Sequence, residues 1–128
     1  RQHERIERKM GKRILIVDDS RVSRMIVRKL VAAVMPDCEM VEAGDGTQAA
    51  AASEENSFDC ALIDYNMPGD DGITVAANLA QRQPDLRIAL LTANVQSPVR
   101  ERAAKLGIDF IGKPPTEDKI RAFLEASS

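Results

Sequence analysis

Three apolar stretches of this chain each lead within a few residues to charged side chains. The stretches are Ile14–Asp19, Cys60–Asp64 and Phe110–Lys113, and the charged residues are Asp18, Asp19, Asp64 and Lys113. Runs of apolar, often β-branched residues are typical of strands buried in a parallel sheet, and open parallel sheets bind ligands at the carboxyl ends of their strands. We therefore expect the three carboxylates and the lysine to meet at one edge of a single sheet.

A fourth apolar run, Arg87–Thr92, would bring a hydroxyl group to the same edge. Carboxylates that lie close together repel one another, and a hard divalent cation with oxygen ligands relieves that repulsion. The sequence therefore predicts a Mg²⁺ site, with Mn²⁺ as an alternative ion, beside a lysine and a hydroxyl group that can hold phosphate oxygens. Taken singly, the pair Asp18-Asp19 would be explained as a favourable helix start, and Thr92 as an ordinary strand residue.

The composition is typical of a single globular domain and argues against nucleic-acid and membrane binding. A chain of 128 residues can form one domain with its own core, and its net charge of −2 gives no indication of nucleic-acid or membrane binding. With no Trp, one Tyr and three Phe, few side chains are available to stack on bases. No apolar run approaches membrane-spanning length, so we expect no membrane contact and a cytoplasmic location.

The chain divides into a short charged segment and one domain. We interpret residues 1–11 as an N-terminal extension or linker and residues 12–128 as the domain. Within the domain, strand patterns alternate with helical ones. The strands are expected near 13–18, 38–43, 59–64, 87–92 and 108–112. Strict alternation predicts an α/β fold, in which helices cover both faces of a parallel sheet.

Apolar spacing and capping residues predict the helices between these strands. The first helix follows Ser20, a suitable N-cap, and carries a stripe of apolar residues at helical spacing. The stripe consists of Val22, Met25, Ile26, Leu30 and Ala33. The last helix begins after Thr116, and Asp70 and Asp71 are expected to lie in a solvated turn before Gly72.

Six short motifs are spread along the predicted domain. In chain order, the motifs are Asp18-Asp19, Asp64, Met67-Pro68, Gly72, Thr92-Ala93 and Lys113-Pro114. Their order and their positions at strand ends resemble the receiver domain of two-component response regulators, over residues 13 to 126. The resemblance implies a flavodoxin-like (βα)5 fold with strand order 2-1-3-4-5, and a cis bond between Lys113 and Pro114.

The resemblance also assigns roles at the predicted metal site. Asp64 is implied to be the phosphoacceptor and, together with Asp19, a direct Mg²⁺ ligand. Asp18 is implied to act mainly through metal-bound water, and the backbone carbonyl of Asn66 is implied to complete the protein ligands.

The resemblance implies that further residues contact the phosphoryl group, change conformation when it is present, or set its lifetime. Thr92 and Lys113 would touch its oxygens, and Thr92 would also act as the switch residue. Phe110 occupies a position that is often aromatic in the family; it is interpreted either as a second switch residue or as part of the core. Asn66 and Asn94 occupy positions that control water access in similar domains and are therefore predicted to set the lifetime of the phosphoryl group.

The function implied is that of a phosphorylation-driven switch of the chemotaxis-regulator type, and not of a substrate-turnover enzyme. A histidine kinase or a histidine phosphotransfer protein would donate to Asp64, and the face made by the fourth helix, fifth strand and fifth helix would bind an output protein.

The sequence is also compatible with three alternatives. The chain could be the receiver part of a larger DNA-binding or hybrid-kinase protein, or a degenerate receiver that acts as a scaffold without phosphorylation. It could also be a phosphatase with an aspartyl-phosphate intermediate, although such enzymes of the haloacid dehalogenase type carry an Asp-x-Asp motif at the first strand, and here Asp18 and Asp19 are adjacent.

Overall fold

A computed structural model describes residues 11–67, 69, 71–93 and 97–126, with the backbone alone for Ser97. The predicted N-terminal extension therefore lies almost wholly outside the described residues, and the predicted domain boundary at residues 11 and 12 stays a prediction.

Five parallel strands form one sheet. They are β1 (Arg13–Val17), β2 (Glu39–Ala43), β3 (Cys60–Asp64), β4 (Arg87–Thr92) and β5 (Asp109–Gly112). Their order is β2-β1-β3-β4-β5, and every neighbouring pair is parallel. The predicted α/β fold and strand order are confirmed, and each strand agrees with its predicted range to within two residues at either end.

One helix follows each strand. The helices are α1 (Arg21–Val34), α2 (Gly46–Glu55), α3 (Gly72–Arg82), α4 (Ser97–Lys105) and α5 (Glu117–Glu125). Side-chain caps begin four of them, where Ser20, Asp45, Asp71 and Thr116 each accept a hydrogen bond from a backbone N–H in the first turn. No helix in the described part of the chain is long and apolar enough to cross a membrane.

Two apolar cores lie on opposite faces of the sheet. Residues such as Leu15, Ile63 and Leu90 pack against α2, α3 and α4, whereas their strand neighbours Ile16 and Leu62 pack against α1 and α5. This alternation follows from the period-2 geometry of strands, and both faces are buried because parallel crossovers place helices on each side.

The inward face of α1 differs from the predicted stripe. Val27 and Val31 are the fully buried residues of this helix, whereas Val22, Met25 and Ile26 are 62%, 49% and 46% exposed. The helix is apolar around much of its circumference, so helical spacing alone does not determine which side faces the sheet. An exposed apolar patch, formed by Val22, Met25 and Ile26, therefore lies on α1.

Gln83, at the end of α3, binds three backbone groups of the segment 53–58 through its side chain. Its amide nitrogen donates to the carbonyls of Ser53 (3.0 Å) and Asn56 (2.8 Å), and its amide oxygen accepts from the N–H of Phe58 (2.8 Å).

Gln83→Leu removes all three hydrogen bonds, and we expect it to lower the free energy of unfolding by about 2–3 kcal/mol. Urea denaturation measures the change. Gln81→Leu, at an exposed position on the same helix, is the control and should be near neutral.

Candidate functional site

The predicted site residues lie together at the carboxyl edge of the sheet. Asp18 and Asp19 follow β1, Asp64 ends β3, Thr92 ends β4, and Lys113 follows β5. Because β2 and β3 lie on opposite sides of β1, the chain reverses its winding direction beside β1 and β3. Open α/β sheets bind their ligands at such a point.

Three carboxylates form the centre of the site. One oxygen from each of Asp18, Asp19 and Asp64 lies within 4.8 Å of the other two. Asp18 and Asp64 are buried, whereas Asp19 is exposed to solvent. An all-oxygen, negatively charged donor set with one open side fits Mg²⁺, which binds few carboxylates and retains several waters.

Burial raises the pKa of Asp18, and the charges of Asp64 and Asp19 raise it further, against the opposing effects of the Ser20 N–H and Lys113. The Ser20 N–H donates to Asp18 Oδ1 at 2.9 Å. Because the raised pKa favours the protonated form in the folded protein, the stability contributed by Asp18 is present at low pH and is lost as the pH rises through that pKa. A cation competes with this proton, so metal affinity weakens as the pH falls through the same range.

Lys113 supplies a positive charge to the cluster. Its Nζ lies 2.6 Å from Asp64 Oδ1, and its backbone N–H donates to the Thr92 carbonyl at 2.9 Å. The Lys113–Pro114 bond is cis, as the resemblance implies. The ammonium group partly balances the negative charge of the three neighbouring carboxylates.

The structure brings most of the other predicted residues to this edge. Thr92 is buried at the end of β4, and Asn66 is exposed, two residues beyond Asp64, where it forms an isolated bridge with Asp71. Phe110 is half-buried and packs against the apolar core of the α2–α4 face. That packing agrees with the interpretation of Phe110 as a core residue, and its switch role stays a prediction. Asn94 lies outside the described residues.

Gly72 allows α3 to begin directly against the strand that carries Asp64. A Cβ atom on Gly72 would lie 2.5 Å from the carbonyl oxygen of Asp64 and 2.7 Å from Cα of Tyr65. The Gly72 N–H donates to the Tyr65 carbonyl at 2.9 Å.

Asp71, which was predicted to lie in a solvated turn, is exposed but caps α3 by accepting from the Thr74 N–H at 2.9 Å. An acidic residue immediately before Gly72 is the sequence signal for that cap.

Arg24 is a neighbour of the site that sequence reasoning missed. Its guanidinium donates to the backbone carbonyl of Asp18 and pairs with Glu42 at 3.0 Å. Arg28 holds the same carboxylate at 2.7 Å, and the hydrogen bond from Arg28 lowers the pKa of Glu42. These contacts join the loop that carries Asp18 to the end of β2. No sequence pattern distinguishes Arg24 from the other basic residues of α1.

The geometry agrees with comparison against known protein families. A family model described as the response regulator receiver domain matches residues 14–125, and the chain belongs to this family.

The relatives differ widely in total length. The chain is 36% identical over 113 residues to the chemotaxis protein CheY of Bacillus subtilis (strain 168), covering 87% of this chain and 92% of CheY. It is 35% identical over 117 residues to the cyclic di-GMP phosphodiesterase response regulator RpfG of Xanthomonas campestris pv. campestris (strain 8004), covering 88% of this chain but only 31% of RpfG. Receiver domains of this kind therefore occur alone and within larger proteins.

Solved structures show the same fold. Chemotaxis protein CheY4 of Vibrio cholerae superposes with a TM-score of 0.82 at 22% identity, covering 92% of this chain and 99% of CheY4. The receiver domain of the response regulator NarL from Mycobacterium tuberculosis gives a TM-score of 0.78 at 29% identity, covering 91% of this chain and 96% of that one.

Proposed function

We propose that this chain is a phosphorylation-driven signalling switch, which accepts a phosphoryl group on Asp64 and does not turn over a separate substrate. The observation that carries the proposal is the arrangement around that residue. Asp64 is buried at the strand end, its carboxylate is 2.6 Å from the ammonium of Lys113, and it shares the site with the carboxylates of Asp18 and Asp19.

The proposed chemistry is attack by an Asp64 carboxylate oxygen on the phosphorus atom of a phosphohistidine. The new O–P bond replaces the N–P bond, and the imidazole of the donor leaves. Mg²⁺, held by Asp19, Asp64 and the Asn66 carbonyl and through water by Asp18, would neutralise charge on the phosphoryl oxygens, and Mn²⁺ would substitute for it. Lys113 would donate to one phosphoryl oxygen and the Thr92 hydroxyl to another, so catalysis is mainly positioning and charge compensation.

Phosphorylation by acetyl phosphate tests this proposal without any partner protein. With Mg²⁺ present, intact-mass spectrometry should show the addition of one phosphoryl group, and a chelator should prevent it. A chain that stays unmodified under these conditions would contradict the proposed function. Phosphatase assays with phosphomonoesters should show no sustained turnover.

Asp19→Ala should weaken Mg²⁺ binding by at least about tenfold and leave the metal-free protein as stable as the wild type. Asp19 is exposed, and its removal lessens the repulsion among the carboxylates. Fluorescence of Tyr65, the one tyrosine of the chain and a neighbour of Asp64, is a suitable signal for a Mg²⁺ titration. The control is Asp85→Ala, an exposed carboxylate just before β4 at the opposite edge of the sheet. Loss of metal-free stability in Asp19→Ala would instead indicate a structural role.

A protein donor would dock beside the acidic cluster. The patch of Val22, Met25 and Ile26 on α1 adjoins a groove of about 400 Å³, and Asp18, Ile26 and Lys113 all line that groove. A histidine kinase or phosphotransfer protein must bring its phosphohistidine to Asp64 and would bury the surface next to it. The continuity of the patch with the groove supports α1 as the surface for that donor.

Met25→Asp should slow phosphoryl transfer from a phosphorylated donor protein by at least about tenfold, because a charge would be buried in an apolar interface. Phosphorylation by acetyl phosphate should be unchanged, since Met25 lies outside the chemical site. Ala33→Asp, an exposed position about 12 Å further along the same helix, is the control. Equal rates from the donor protein in Met25→Asp and the wild type would remove α1 from the docking surface.

The output surface is proposed to be the face of α4, β5 and α5. Thr92 pairs in register with Gly112 of β5, and its carbonyl accepts from the Lys113 N–H, so a movement of Thr92 toward a phosphoryl group acts directly on β5. Phe110 lies in β5 as well, and Thr92 and Phe110 are the proposed switch residues.

The lifetime of the phosphoryl group is proposed to depend on Asn66 and Asn94, two neutral amides that neither shield the phosphate nor activate water.

A further inference from the structure

Two consecutive prolines follow Lys113, and they limit how the loop that carries this lysine can be held. Pro114 and Pro115 have no backbone N–H, so neither can donate a hydrogen bond from the main chain. The Lys113 N–H is already used by the Thr92 carbonyl. The two prolines leave this loop with two fewer backbone donors, so a side-chain donor from another element can contribute more to holding it.

Lys119, in the first turn of α5, supplies that donor. Its Nζ lies 3.0 Å from the carbonyl oxygen of Gly112 and 3.1 Å from that of Pro114. These two carbonyls belong to the residues immediately before and after Lys113. An ammonium group has three N–H donors, so it can hold both oxygens at once.

The position of the Lys113 backbone controls where its ammonium group lies. The Lys113 side chain is about one-third exposed, with four rotatable methylenes between the backbone and Nζ, and it reaches a buried carboxylate oxygen at 2.6 Å. Without a fixed backbone, such a side chain samples many geometries in which that contact is longer. Charge compensation of a phosphoryl group depends on the donor being held in place before the reaction.

We propose that Lys119 is a positioning residue for phosphoryl transfer: by binding the carbonyls of Gly112 and Pro114, it holds the loop so that Lys113 faces Asp64. The inference rests on the proposed function, because it concerns the same reaction. It adds a physical link between α5 and the phosphorylation site, which runs through one exposed lysine and two backbone oxygens.

The decisive variant is Lys119→Met, which keeps the length and apolar stem of the side chain and removes its donors. We expect it to slow phosphorylation by saturating acetyl phosphate and Mg²⁺ about three- to tenfold, the range that one or two well-placed hydrogen bonds support. Lys119→Arg should recover most of the rate, since a guanidinium can also donate to two carbonyls. Lys105→Met, an exposed lysine on α4, removes the same charge away from the loop and should leave the rate unchanged.

The double variant Lys113→Ala/Lys119→Met separates positioning from general destabilisation. If Lys119 acts through Lys113, its removal has no further effect on the rate once Lys113 is absent. A structural role would instead slow the double variant beyond Lys113→Ala alone, and this result would overturn the proposal. So would a wild-type rate in Lys119→Met, or an equal loss in Lys105→Met. The proposed function is tested by the wild type alone: if the wild-type chain is not phosphorylated at all, that function is refuted. The role of Lys119 is tested separately, by comparing the variants with the wild type.

Discussion

Asp64→Asn is expected to abolish phosphorylation by acetyl phosphate, because the substitution replaces the carboxylate proposed to attack phosphorus with a carboxamide of the same shape. Asp64 is buried and is the carboxylate that contacts Lys113, whereas the nearby carboxylates of Asp18 and Asp19 are the proposed metal ligands. Intact-mass spectrometry after incubation with Mg²⁺ and acetyl phosphate should show the added phosphoryl group in the wild type and none in the variant.

The matched control for this experiment is Asp71→Asn. Asp71 is exposed and lies near the site, where it caps α3 through the Thr74 N–H. Asparagine caps helices as well as aspartate does, so this control changes the same chemical group with little effect on the fold. It should be phosphorylated like the wild type. If Asp64→Asn is labelled as fully as the control, the phosphoacceptor is another residue.

The strands were predictable because each strand carries its own signal, whereas their order was implied by the resemblance to the receiver family. Segments such as Cys60–Asp64 are buried on both faces, so nearly every residue must be apolar until the polar residue at the end. The site follows from the same rule, since side chains at the carboxyl ends of parallel strands must meet. For Asp18, Asp64 and Lys113, the meeting point follows from strand-end position and topology.

Contacts that depend on which side of a helix faces the sheet were not predictable from the sequence. On α1, apolar residues occupy several sides, and packing against both the sheet and α5 buries Val27 and Val31 while leaving Met25 exposed. Arg24 and Lys119 are similar cases, because long flexible side chains leave no periodic signal and their backbone partners are set only by the folded loops. The sequence therefore predicts the reacting groups better than the groups that hold them.

The charge balance at the site explains why a lysine belongs there even without a phosphoryl group. Three carboxylates within 4.8 Å of one another oppose folding, and the Lys113–Asp64 pair offsets part of that repulsion. The same ammonium group competes with a metal ion for Asp64. Lys113 is thus expected to stabilise the metal-free protein, to weaken Mg²⁺ binding slightly, and to assist the reaction.

Lys113→Ala separates these three effects. The variant should lose about 1–2 kcal/mol of unfolding free energy without metal, because Asp64 stays buried and loses its charged partner. It should bind Mg²⁺ at least as tightly as the wild type, since the competing cation is gone. Phosphorylation at saturating Mg²⁺ should nevertheless be about a hundredfold slower, the usual cost of removing one pre-positioned donor from a developing charge.

Three measurements on the same protein decide between these expectations: urea denaturation in the presence of a chelator, a Mg²⁺ titration followed by Tyr65 fluorescence, and the rate of mass increase with acetyl phosphate. Lys113→Arg is the informative companion, because it keeps the positive charge but changes the geometry of the donor. It should retain more metal-free stability than Lys113→Ala while phosphorylating slowly. If Lys113→Ala is phosphorylated at the wild-type rate once Mg²⁺ is saturating, the ammonium group takes no part in phosphoryl transfer, and its contact with Asp64 serves the metal-free fold alone.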